Sequence, residues 1–144
     1  MWTNRYIITM DGLVVTTWEP SWWRAGGSYV VDGQAYKVSN NGFGSTYELV
    51  DTAGIVVAVA RRVGRKHWTV ETVGQTYEFR RPSMWRQEVE MVMNGQRAGS
   101  IRRLSAWRSD AMADLPGLPP AVQVFVLCVL LAKWDQDAAT AAAS

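Results

Sequence analysis

Apolar and polar residues alternate with a period of two in several short segments of the chain. Around residues 66–72, Trp68 and Val70 point one way and Thr69 and Glu71 the other. Around 76–81, Tyr77 and Phe79 oppose Glu78 and Arg80. This is the pattern of antiparallel strands with one dry and one wet face. Between the alternating runs lie turn signals. Asp11-Gly12, Asp32-Gly33 and Asn94-Gly95 supply the positive φ that two-residue hairpin turns require. Asn40-Asn41-Gly42 and Asp51-Thr52-Ala53-Gly54 mark longer turns. The spacing predicts strand pairs at 6–10 with 13–18, 28–31 with 34–38, 45–50 with 55–63, 66–72 with 76–81 and 84–93 with 97–104. A last strand is predicted at 107–113.

The pattern then changes. Leu115-Pro116-Gly117-Leu118-Pro119-Pro120 stops the sheet, and proline suits the first turn of a helix. Residues 121–132 follow with Gln123 as their only strongly polar side chain. A helix of this composition is apolar on every side and must be surrounded. Lys133 and Asp135 cut the run short of the roughly twenty apolar residues that span a bilayer, so protein is the expected surrounding and no transmembrane segment is predicted. Ten or eleven strands can curl into a barrel whose lumen is too wide for strand side chains alone, and such a helix would fill it. The ending 138–144, Ala-Ala-Thr-Ala-Ala-Ala-Ser, has no strand pattern and is expected to be a frayed tail.

Composition agrees with one globular domain. The chain has 144 residues, 48% hydrophobic and 19% charged, with eight tryptophans. A net charge of +2 argues against a generic nucleic-acid binder. The layout of charge is uneven, however. Residues 1–60 carry three basic and five acidic groups, 61–108 carry eleven and four, and 109–144 carry one and four. The middle third, net +7, can form a face with its own field. One cysteine, Cys128, excludes an intrachain disulfide and a multi-cysteine zinc site. No secretory signal pattern opens the sequence, and a cytoplasmic protein, peripheral at a membrane or free of it, is expected.

Three stretches carry a family resemblance. They are 47–56, a strand, an Asp-x-x-Gly turn and a strand; 93–102, a hairpin at Asn94-Gly95 leading into a strand that contains Gly99; and Leu115-Pro116 followed by the apolar C-terminal helix. With their spacing the chain resembles the tubby C-terminal-like superfamily, in particular its LURP-one-related and phospholipid scramblase-like branches. The resemblance implies a mainly β fold: a closed antiparallel barrel of about twelve strands around a buried C-terminal hydrophobic helix. The expected domain is 1–137, with the helix at 119–134. Tubby-like members bind phosphoinositides through basic residues, and scramblase-like members are associated with lipid movement and calcium. This sequence has no Asp-x-Asp-x-Asn-Gly calcium loop and no phosphoinositide-binding motif to match residue by residue.

The candidate lipid head-group residues are Arg61, Arg62, Arg65 and Lys66, with the pair Arg80 and Arg81. Each basic group near an anionic surface adds about 1 kcal/mol of attraction. The same cluster also reads as a solvated hairpin tip that resists edge pairing. In the pairs Arg80-Arg81 and Arg102-Arg103, neighbouring strand residues face opposite sides. One arginine of each is therefore expected at the interior or rim, with Glu78, Glu88 and Glu90 as cross-strand partners. Trp22 and Trp23, in a loop with Pro20 and Gly26, are candidate anchors for a membrane interface or partner, or a cap on one barrel end. His67 is the only histidine, and no nucleophile elbow or phosphate loop accompanies it. No enzyme, metal or cofactor is expected. The leading function is a non-enzymatic domain that binds anionic head groups or a protein partner through its basic face. The alternatives are a calycin-like barrel holding a small hydrophobic ligand and a purely structural domain.

Overall fold

The computed structural model describes residues 6–10, 13–18, 27–40, 45–82, 88–103 and 111–143. The strands are β1 (Tyr6–Met10), β2 (Leu13–Trp18), β3 (Gly27–Val31), β4 (Gln34–Asn40), β5 (Tyr47–Asp51), β6 (Val56–Arg61), β7 (His67–Thr72), β8 (Gln75–Arg80), β9 (Glu88–Met93), β10 (Gln96–Arg103) and β11 (Ala111–Asp114), and one helix follows, α1 (Pro120–Ala143). Strands β3 to β11 form one nine-stranded antiparallel sheet in strict chain order. Strands β1 and β2 pair separately, and β2 runs close beside β3. Among the described residues the hydrogen-bonded ladder ends at β3 and β11 and is not closed.

One face of the sheet makes the core. Tyr47, Ala60, Val70 and Tyr77 stand in one row across four strands. Trp68, Phe79 and Met91 stand in the next. The Trp68 and Phe79 rings stack with centroids 4.4 Å apart. Gly99 also faces inward, where a Cβ would collide with the Asp114 carbonyl beside it, so only glycine lets the chain pass so close.

From Val122 to Trp134, helix α1 is buried on all sides. Successive helical residues are about 100° apart. Val122, Val126 and Val129 define one side, Leu130 and Trp134 the next, Val124 and Leu131 the third, and Phe125, Cys128 and Ala132 the last. All ten are buried. All but Ala132 join the strand side chains from Tyr29 to Ile101 in one buried cluster, so the inner face of the sheet packs on the helix. A proline pair starts α1 cleanly. Pro120 has no N–H to leave unpaired, and the Pro119 carbonyl accepts from the N–H of Val122 at 3.0 Å and of Gln123 at 2.9 Å. The Gln123 amide turns back to donate to the Leu118 carbonyl at 2.8 Å, which satisfies the run's one polar side chain.

The helix continues past the expected end at 134, through most of the expected frayed tail, to Ala143. Alanine is the best helix former, and Lys133 pairs with Asp137 one turn on at 3.5 Å. Among the described residues no helix is long and apolar enough to cross a membrane.

The Tyr29 hydroxyl ties β3 to the helix start by donating to the Ala121 carbonyl at 2.7 Å. Burial, first of all, raises the Tyr29 phenol far above its ordinary value of 10.0, and it raises the Cys128 thiol well above 9.0. Both groups stay protonated in the folded protein at pH values where the unfolded chain ionises. The unfolded state then binds fewer protons, so stability is intact below about pH 9 and falls as pH rises beyond the ordinary values. Urea titrations between neutral pH and about pH 11 are expected to show this loss. A flat profile would contradict it.

Candidate anion-binding site

The sequence Arg61-Arg62-Val63-Gly64-Arg65-Lys66-His67 connects β6 to β7. Val63 is its single large apolar residue. It is buried in the core, and its N–H donates to the Ser45 carbonyl at 3.0 Å. This anchor leaves Arg62, Arg65 and Lys66 exposed to water. The backbone turns sharply, with φ of 62° at Arg62 and 90° at Gly64. A side chain at Gly64 would strike the aliphatic stem of Lys133, so the turn rests against α1.

The end of β8 lies beside this turn. Arg80 is in register with His67. Arg81 has left the ladder: its N–H donates to the Lys66 carbonyl at 2.9 Å and its guanidinium to the Gly64 carbonyl at 3.2 Å. Of the expected interior or rim position for one arginine of this pair, Arg81 takes the rim, because β8 stops at Arg80. Arg81 therefore braces the turn and is half-buried.

A cleft of about 370 Å³ opens on the outer face of β6 to β9. Two cross-strand rows shape it. Arg61, Thr69, Glu78 and Val92 form one; His67 and Arg80 lie in the other, which continues to Glu90. Arg62 adds a third cation to the lining, and Trp68 and Phe79 contribute from the core side. Two carboxylates hold the arginines. Arg61 Nε lies 3.3 Å from Glu71, and Arg80 Nε lies 2.9 Å from Glu90, which also meets Arg97 at 3.5 Å. Each guanidinium is held through Nε, and a guanidinium has further N–H donors on its terminal nitrogens. The lining holds Arg61, Arg62 and Arg80 with Glu78, and Glu71 and Glu90 share the charge of two of these arginines.

The structure thus brings all six predicted cations to one end of three adjacent strands, in three roles. Arg61, Arg62 and Arg80 line the cleft, Arg65 and Lys66 extend it along the exposed turn, and Arg81 holds the turn in shape. Trp22 and Trp23 lie outside the described residues. Of the expected acidic partners, Glu90 pairs with Arg80, and Glu88 stands in register with Arg102. Sequence reasoning named Glu78 as an arginine partner but overlooked Glu71 and the lining residue Thr69. The signal was the register of the β6–β7 pair, which fixes Arg61 opposite Thr69 and brings Glu71 alongside.

Among the described residues no group of three or more His, Cys, Asp or Glu side chains could hold a metal ion. The Cys128 thiol is sealed in the core with its ionisation suppressed, far from a reactive thiolate. Comparison with protein-family models, with curated proteins and with solved structures finds no match.

Proposed function

We propose that this protein is a non-enzymatic, tubby-like domain that docks through its basic end on anionic phospholipid head groups at the cytoplasmic face of a membrane. The observation that carries the reading is the convergence of Arg61, Arg62, Arg65, Lys66 and Arg80 at one end of the sheet, around and beside a cleft. Anionic leaflets attract such clusters within a Debye length. The fold completes as a closed barrel of about twelve strands, with the β1–β2 hairpin supplying wall between β3 and β11. Two features support that closure: the all-round burial of α1 and the position of β2 beside β3. A helix occupying the interior also leaves a calycin-like ligand cavity little room.

The test is co-sedimentation of the purified chain with vesicles. Binding to vesicles containing phosphatidylserine, absent with purely zwitterionic vesicles and weakened by high salt, is the expected result. Failure to bind under any of these conditions would overturn the reading and leave a protein partner for the basic end.

A further inference from the structure

The opposite end of the sheet has a different chemistry. In an antiparallel meander alternate hairpins turn at the same end. The β5–β6, β7–β8 and β9–β10 hairpins therefore turn together, away from the basic turn. Their tips read Thr-Ala-Gly-Ile-Val at 52–56, Thr-Val-Gly-Gln-Thr at 72–76 and Met-Asn-Gly-Gln at 93–96. None contains a charged residue. Hairpin tips ordinarily carry Asn, Asp, Gly or Ser. Here Val73 is 94% exposed, Ile55 61% and Val56 42%, with Met93 beside them at 39%. The charges at the base of these tips are engaged: Asp51 turns into its own loop, accepting from the N–H groups of Ala53 and Ile55, Glu71 pairs with Arg61 at 3.3 Å, and Arg97 lies 3.5 Å from Glu90. Asp32, on the adjacent β3–β4 tip, bounds the charge-free row.

From this surface we infer a docking face for a second copy of the chain, end to end about a two-fold axis. A two-fold interface sets the same patch against itself, so any charge in it meets its own like. The charge-free tips meet that condition, whereas the basic end repels its copy. The polar groups between the apolar side chains are Thr52, Thr72, Gln75, Thr76, Asn94 and Gln96. Hydroxyls and amides both donate and accept, so this rim can bond to itself without a complementary partner. A lipid surface fits less well, because none of the three tips has an aromatic or basic interfacial anchor.

Sedimentation equilibrium of the full chain, over a concentration series at low and high salt, tests the inference. A reversible dimer that salt does not weaken is expected. Val73→Asp and Val73→Lys, each at an exposed site, are expected to keep the parent melting temperature and to shift the monomer–dimer midpoint at least tenfold upward. An equimolar mixture of the two is expected to recover association, because the middle tip places opposite charges across the axis. A chain that is monomeric at every concentration overturns the inference. So does a dimer indifferent to Val73→Asp, or a mixture that remains monomeric.

Discussion

Val126→Asp is expected to leave no folded protein. Val126 has no exposure to solvent and lies on α1 between Val122 and Val129, on a helix buried all round. Aspartate is of similar size, so the change tests charge and polarity more than volume. An isolated carboxylate there either ionises without a partner or takes up a proton and still lacks hydrogen bonds, at a cost of several kcal/mol. Stability of a domain this size totals roughly 5–15 kcal/mol, so a loss of that order removes the cooperative transition or places it near room temperature. Leu127→Asp, one residue on, is the informative companion. Leu127 is only partly buried, so its carboxylate can lean toward water and the expected loss is smaller. Thermal melts followed by circular dichroism separate the two. A Val126→Asp variant with the parent melting temperature would refute the enclosed helix.

The second large effect is expected in lipid binding. Replacing Arg61, Arg62, Arg65 and Lys66 together with glutamine removes four cations from the basic end. At about 1 kcal/mol for each charge near an anionic surface, the partition coefficient is expected to fall roughly a hundred- to a thousand-fold. The lower figure allows for Arg61, whose charge is shared with Glu71. The four side chains are exposed and the one ion pair among them is a surface pair, so the fold is expected to survive. Vesicle sedimentation against anionic lipid, with a melt recorded in parallel, is the measurement. Undiminished binding by a folded variant would move the contact surface elsewhere. Arg81 is left in place because it braces the β6–β7 turn, and its removal would confuse loss of charge with loss of shape.

Much of the fold was legible because strand periodicity and turn chemistry are local properties. The β7–β8 pair shows this: Trp68 and Val70 are buried on one strand and Tyr77 and Phe79 on the other, as the alternation predicts. The apolar helix was legible for a different reason, since no surface helix lacks a polar side. Its length was not, because an alanine-rich ending reads equally as a tail until Lys133 and Asp137 meet across one turn. The basic cluster was visible as a run of residues. Its division into lining, extension and brace was not, because that depends on where β8 stops and on the cross-strand register that sets His67 against Arg80. The charge-free tips were each visible as turns, yet their common direction emerges only from the strict chain order of the sheet.

The position of α1 after the eleven described strands has a consequence for how the chain matures. Every strand emerges from the ribosome before the element that fills the core. The hairpins are local and can pair early. Their inner face, with Leu49, Trp68, Phe79 and Met91, is covered by α1 only once that helix has followed. A nascent chain halted by a premature stop before Pro120 would present that face to solvent as a sticky half-shell, suited to chaperone capture or proteolysis rather than to release as a working fragment.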